Sequence, residues 1–91
     1  MTKVKSLNIS ARQLRLNKIH KLFYNAKGVK KADEGKFNEA SECFTKAIEL
    51  VPDDSISYFN RATVKMNIGD LQGAKSDFKL SESFRIISIR E

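Results

Sequence analysis

Apolar residues recur along the chain at steps of three and four, which is the spacing of one face of an α-helix. The first run comprises Leu16, Ile19, Leu22, Phe23, Ala26 and Val29. It comes after a helix-start signal, in which Ser10 can cap the helix and Gln13 can complete a capping box. Gly35 marks its end. The pattern predicts one long helix of roughly 25 residues, from Ser10 to about Glu34.

A second apolar face with helical spacing begins after Gly35. Its members are Phe37, Ala40, Phe44, Ala47, Ile48 and Val51. Pro52 cannot continue this helix, and either Asp53 or Asp54 can cap a third helix, from about Ser55 to Ile68.

The third helix is predicted to end at Gly69, where Asp70 can cap a fourth. That helix should run from about Leu71 to at least Phe84, or as far as Arg90. Each connection has only a few residues, so neighbouring helices should lie antiparallel. The predicted fold class is all-α.

The two halves of the chain repeat one another. One constant shift along the sequence aligns Tyr24 with Tyr58, Lys31 with Lys65, Gly35 with Gly69, Ala40 with Ala74 and Phe44 with Phe78. These matches have a physical logic, since the glycine lets the chain reverse and the small alanine lets two helix axes approach. Each unit is therefore a helix, a glycine turn and a second helix.

This pattern resembles the tetratricopeptide repeat, whose period of about 34 residues equals the shift. The first unit reads "YNAKGVKKADEGKFNEASECFTKAIELVPDD" and the second "YFNRATVKMNIGDLQGAKSDFKLSESF". The resemblance implies antiparallel helix-turn-helix repeats at about residues 21–54 and 55–88. They would lie in a single domain at residues 10–91, with an extended basic N-terminal helix and a basic, flexible N-terminus at residues 1–9.

The chain departs from the family pattern in the first helix of each unit. The family usually has large apolar residues where this sequence has Lys27, Lys31, Arg61 and Lys65. Long cationic side chains can bury their stems and keep the charge in water. Alternatively, the first helix is rotated so that Phe23 and Ala26 face its neighbour.

Length and composition narrow the class of protein. A chain of 91 residues predicts one small domain. Cys43 is the only cysteine and His20 the only histidine, so neither an internal disulfide nor a Cys/His zinc site is expected. We expect no metal, cofactor or small-molecule substrate and a cytoplasmic location. The basic, acid-free start of the chain also leaves a transit peptide open.

Charge is distributed unevenly within the net charge of +6. Residues 1–32 contain nine cations and no anion, whereas the rest has eight cations and eleven anions. The candidate basic patch consists of Arg12, Arg15, Lys18, Lys21, Lys27 and Lys31. Such a segment favours nucleic acid or an anionic membrane surface, which is the alternative function. Because these cations do not form one helical stripe, a solvated surface is the simpler interpretation.

No catalytic constellation is evident, so the chain is predicted not to be an enzyme. In the resembled family, the first helices of the repeats line a groove that binds a peptide or helix of a partner protein. Carried over by position, that groove would comprise Leu22, Asn25, Val29, Ile56, Phe59, Asn60, Thr63, Met66 and Asn67. Only Asn60 fits the Lys and Asn clamp by which one subfamily holds C-terminal carboxylates.

Two alternatives to an open groove remain. In one, Ile56, Phe59 and Met66 are core residues that the N-terminal helix covers. In the other, the chain self-associates to a homo-oligomer, since two repeats bury less surface than the three that such arrays normally need.

Overall fold

A computed structural model describes residues 9–90, and the surroundings of the side chains of residues 9–87. Its helices are α1 (Ala11–Asp33), α2 (Phe37–Leu50), α3 (Ser55–Asn67) and α4 (Leu71–Arg90). All regular secondary structure in that part of the chain is helical, which confirms the all-α prediction. The predicted flexible N-terminus lies outside the described residues, except for Ile9.

Helix α1 is a single rod of 23 residues, as the sequence predicted. The Ser10 side chain caps it by accepting a hydrogen bond of 3.0 Å from the backbone N–H of Gln13. The predicted capping box is only half formed, because the Gln13 side chain donates to Asn17 Oδ1 at 2.8 Å instead. A side chain one turn further along competes for the same amide group.

The other caps and turns agree closely with the sequence. Of the two predicted caps for α3, Asp54 is used, and its carboxylate accepts from the Ser57 backbone N–H at 3.0 Å. Asp70 caps α4 by accepting from the Gly73 N–H at 2.9 Å. Gly35 and Gly69 have φ angles of 78° and 88°, a left-handed conformation that favours glycine at the end of a helix.

The helices pack in chain order, α1 against α2, α2 against α3 and α3 against α4, with a smaller contact between α1 and α3. The core between the repeats is formed by Ala40, Phe44 and Val64, with Ala32 and Phe37 partly buried beside them. Both repeats therefore share one hydrophobic cluster. None of the helices in the described part of the chain is long and apolar enough to cross a membrane.

Helix α1 meets α2 through a glycine. A Cβ atom at Gly28 would lie 2.5 Å from Cε1 of Phe44, closer than any real carbon contact. The Phe44 ring is 1% exposed and lies directly against the α1 backbone at this point. Only glycine allows α1 and α2 to approach this closely.

The apolar run of α1 does not pack against α2. Leu16, Ile19, Leu22, Phe23 and Val29 are 39–61% exposed. Ala26 is exposed too, so the proposed rotation of α1 onto Phe23 and Ala26 does not occur. The buried residues of α1 are instead Asn25 and Gly28. A helix turns by about 100° per residue, so a close contact at Gly28 directs the apolar run away from α2.

Candidate functional site

Helices α1 and α3 present an exposed apolar surface, here called the α1–α3 face. It contains five of the predicted groove residues, Leu22, Val29, Ile56, Phe59 and Met66. Their exposed fractions range from 45% at Val29 to 61% at Leu22 and Ile56. Leu22 and Ile56 are one repeat apart and occupy equivalent positions on their helices. Each repeat therefore presents the same side of its first helix.

The α3 part of this face borders a groove against α4. A cavity of about 350 Å³ is lined by Ile56 and Phe59 of α3 and by Phe78 and Arg85 of α4, among others. The rings of Phe59 and Phe78 meet edge to face, with centroids 5.4 Å apart. This contact fixes the orientation of Phe59 while half of its surface stays exposed. The groove thus has one rigid aromatic wall.

The alternative that α1 covers this surface is wrong. Ile56, Phe59 and Met66 are 53–61% exposed, although α1 is fully formed as far as Ala11. The reason is the placement of α1, which packs on α2 through Gly28 and passes beside α3 rather than over it. Exposed side chains of this size are what a protein-binding surface requires.

Asn25 does not line the groove, contrary to the prediction. It is 8% exposed, and its Nδ2 donates a hydrogen bond of 2.9 Å to Ser57 Oγ. Ser57 in turn donates to Asp54 Oδ2 at 2.6 Å, so a chain of hydrogen bonds joins α1 to the start of α3. Asn25 therefore connects the two repeats. Its Oδ1 is buried and has no hydrogen-bond partner among the described residues.

The remaining predicted groove residues supply the polar part of the face. Thr63 and Asn67 are exposed, and Asn60 is partly buried. Thr63 Oγ1 donates to the Phe59 carbonyl at 3.0 Å, and Asn67 Nδ2 donates to the Thr63 carbonyl at 2.9 Å. Both side chains return a hydrogen bond to their own helix, which leaves the other polar positions of each open to a ligand.

The predicted basic patch is not one surface. Arg12, Arg15 and Lys18 are exposed on the first part of α1, and Lys27 is exposed further along it. The other two cations are paired, Lys21 with Asp54 at 3.1 Å and Lys31 with Glu39 at 2.8 Å. Their partners lie on other elements, so the sequence pattern of α1 alone could not show the pairing.

These pairs shift the pKa values of Lys31, Glu39 and Asp54. The hydrogen bond between Lys31 and Glu39 raises the pKa of Lys31 and lowers that of Glu39. Burial acts to raise the pKa of Asp54, but hydrogen bonds from Ser57 and Lys21 outweigh it and lower the pKa below its usual range. Lys21 is thus engaged in holding the start of α3 and is not available to an anionic ligand.

A further charged cluster, which the sequence did not reveal, joins α3 to α4. Asp77 is 3% exposed and receives two hydrogen bonds from Arg61, at 2.8 Å from Nε and 3.0 Å from Nη2. Lys65 Nζ lies 3.0 Å from the same carboxylate. Burial acts to raise the pKa of Asp77, yet its hydrogen bonds with Arg61 and Lys65 outweigh burial and lower it.

This cluster explains the second repeat's departures from the family pattern. Arg61 and Lys65 stand at normally apolar positions, and one buried carboxylate compensates both of them. The sequence contains one sign of this cluster, because alignment of the two repeats places Asp77 at the position that the small, apolar Cys43 takes in the first repeat. An acidic residue on the buried side of α4 requires a cation on the helix that faces it.

The two residues of the chain with the most reactive side chains, His20 and Cys43, lie on different helices. His20 is exposed on α1, and Cys43 is buried as a free thiol on α2. Within residues 9–90, no three His, Cys, Asp or Glu side chains are grouped so that they could hold a metal ion.

Comparison with known proteins agrees with this geometry. Two family models, each described as a tetratricopeptide repeat, match residues 23–54 and 43–76. The first covers the end of α1 and all of α2, and the second runs from α2 through α3 into α4. Together they cover residues 23–76, from the second half of α1 to the first turns of α4. No solved structure gave a significant match.

Two curated proteins are similar to part of the chain. The Tetratricopeptide repeat protein 36 homolog of Nematostella vectensis is 43% identical over 54 residues, which are 59% of this chain and 30% of that protein. Tetratricopeptide repeat protein 36 of Mus musculus is 37% identical over 60 residues, 66% of this chain and 32% of its own length. The chain spans about a third of the length of these relatives. It belongs to the tetratricopeptide repeat family, of which it contains two repeats.

Proposed function

We propose that this protein is a non-enzymatic adaptor that binds an apolar extended segment or an amphipathic helix of a partner protein on the α1–α3 face. Tetratricopeptide repeats generally mediate protein–protein interaction. The observation that carries the proposal is the exposure of Leu22, Val29, Ile56, Phe59 and Met66, each 45–61% exposed. Helices of this kind bind partner helices through anchors one turn apart.

The size of these side chains is sufficient for a specific interaction. Fully burying an exposed side chain such as Leu or Phe contributes about 1.5–3 kcal/mol, and about half of the surface of each of these residues is still available for burial. Because Phe59 is already held by Phe78, a ligand contacting it loses little conformational freedom on the protein side. The polar groups of Thr63 and Asn67 border the apolar residues and would orient the ligand.

The test uses ligands selected on the protein itself. Peptides are selected from a display library against the wild-type protein, and their affinities are then measured by fluorescence anisotropy with Leu22→Asp and Ile56→Asp. Both residues are 61% exposed, so neither change should disturb the fold, which circular dichroism checks. We expect each variant to weaken binding at least about tenfold, since a carboxylate would be placed against an apolar ligand.

Leu80→Asp is the matched control. Leu80 is 38% exposed on α4 and takes no part in the α1–α3 face. Its variant carries the same change of size and charge and should bind like the wild type. Peptides that bind all four proteins equally would contradict the proposal.

Self-association and a cytoplasmic location stay predictions, and binding of polyanions through Arg12, Arg15 and Lys18 stays the untested alternative. Molar mass measured by light scattering across a range of concentrations tests the first. A dimer that Leu22→Asp or Ile56→Asp dissociates would place a second copy of the chain on the proposed face.

A further inference from the structure

The contact between the repeats shows how a helix docks onto a repeat of this protein. Val64 of α3 is 2% exposed and packs against Ala40 and Phe44 of α2, with Ala32 and Phe37 partly buried at the edge. These four residues of the first repeat form a seat, and Val64 is the side chain that fills it.

The second repeat carries the same seat, and none of the described residues fills it. In the alignment of the two repeats, the four seat residues correspond to Met66, Leu71, Ala74 and Phe78. They line a cavity of about 480 Å³, together with Lys75, Lys79 and Glu82. Met66 is 53% and Leu71 65% exposed, whereas their counterparts Ala32 and Phe37 lie beside a filled core. We call this cavity the end seat.

The charges around the two seats differ. In the occupied seat, Arg61 of α3 lies three residues before Val64, and its Nη1 donates to Thr45 Oγ1 on α2 at 3.1 Å. The residues equivalent to Ser41 and Thr45 in the second repeat are Lys75 and Lys79, both exposed. A helix in the end seat would therefore meet the Lys79 cation where α3 meets the Thr45 hydroxyl, and Lys75 and Glu82 also line the cavity.

We propose that the end seat docks an acidic amphipathic helix from a partner protein. That helix presents an apolar side chain in the place that Val64 takes in the first seat, and an acidic residue three positions earlier, opposite Lys75 and Lys79. Apolar burial supplies the affinity, and the opposite charges fix the register of the helix. This site shares Met66 with the α1–α3 face, and Phe78 lines both cavities, but Leu71 lies only here and Ile56 only there.

A second copy of this chain does not meet these requirements. In the register of the repeat, a second copy would offer α1, with Lys27 in the place of Arg61 and Lys30 in the place of Val64. Lys30 would put an ammonium group into an apolar cavity, and Lys27 would face Lys79. Stacking of copies end to end through α1 is therefore disfavoured.

The experiment uses a helix that already fits the first seat. The probe is a labelled peptide of residues 54–68, stapled across positions 59 and 63, which α3 leaves exposed. It is prepared unchanged and with Arg61→Glu, and circular dichroism confirms that both peptides are helical. Affinity for the full-length protein is measured by fluorescence anisotropy at about 0.15 M salt. We expect the R61E peptide to bind about tenfold more tightly than the unchanged peptide.

Variants of the protein separate the apolar and the charged contributions. Lys79→Glu should reverse the preference, so that the unchanged peptide binds more tightly. Leu71→Asp should abolish binding of both peptides. Lys46→Glu, a charge reversal on α2 outside the seat, should change neither, and Ile56→Asp should leave this binding intact while it disrupts the α1–α3 face.

Two results would overturn the proposal. One is that the helical R61E peptide shows no binding at concentrations up to about 1 mM, which corresponds to a negligible affinity for a docking site. The other is that both peptides bind equally, or that Lys79→Glu leaves the preference unchanged. Because Ile56→Asp and Leu71→Asp act on different surfaces, either proposed site can fail while the other stands.

Discussion

Replacing Asp77 with asparagine should substantially destabilise the second repeat. The substitution preserves the shape of the side chain but removes the charge that faces Arg61 and Lys65, whose side chains are 19% and 22% exposed. Removing one partner of a fully buried ion pair costs about 3–5 kcal/mol. Since both cations keep some contact with water, we expect Asp77→Asn to lower the free energy of unfolding by about 2–3 kcal/mol.

Urea unfolding followed by circular dichroism measures this loss at pH 7. A domain of this size has a total stability of about 5–14 kcal/mol, so the variant should still fold. The control is Glu82→Gln, which removes an exposed ion pair with Arg85 in which both side chains are more than half exposed. That variant should lose less than about 0.5 kcal/mol.

The effect should also depend on pH in a defined direction. Because the folded-state pKa of Asp77 is lowered, its carboxylate contributes full stability above the ordinary aspartate pKa of about 4. This contribution is lost as the pH falls from there through the lowered folded-state pKa. The stability difference between wild type and Asp77→Asn should therefore be constant near neutrality and shrink in acid. A difference below about 0.5 kcal/mol at pH 7, or one that grows in acid, would refute the reasoning.

Two further predictions concern α1. Gly28→Ala should destabilise the protein by about 1–3 kcal/mol despite the better helix propensity of alanine, because the new methyl group meets the Phe44 ring. In a chain that also carries Phe44→Leu, Gly28→Ala should be less destabilising. Urea unfolding measures both losses, and additive losses would contradict the contact. The wild-type protein should not bind heparin or duplex DNA at about 0.15 M salt, since Lys21 and Lys31 are paired and the other cations are spread around the helix. Binding that Arg12→Glu, Arg15→Glu and Lys18→Glu together abolish would instead support the polyanion alternative.

The sequence predicted the fold because its signals are local and repeated. Ser10, Asp54 and Asp70 each cap the helix that comes after them, and Gly35 and Gly69 adopt the left-handed turn their positions suggest. Caps and turns depend on neighbours three or four residues away, so one sequence contains all of the information. The repeat period then identified which helices pair.

The site was harder to predict because its members meet across helices. The apolar run of α1 indicated one apolar helix face, but periodicity cannot distinguish a stripe that packs from one that stays exposed. The decisive contact is made by Gly28, which has no side chain to produce an apolar pattern. Asn25 was wrongly assigned to the groove for the same reason, since Ser57, which accepts its hydrogen bond, lies in the next repeat. The pairing of Asp77 with Arg61 also joins residues 16 positions apart.

The length of α1 has a consequence for how this protein responds to a ligand. With a rise of about 1.5 Å per residue, its 23 residues are roughly 13 Å longer than the 14 residues of α2. Residues 11–16 at its start are all exposed, so these turns rely on the Ser10 cap and on continuity with the packed half of the helix. Short helices without tertiary contacts are marginal in water. The backbone amides of residues 11–16 should therefore exchange their hydrogens with solvent faster than those near Gly28. The first half of α1 is thus less stable than the second half, and a bound partner can increase its order.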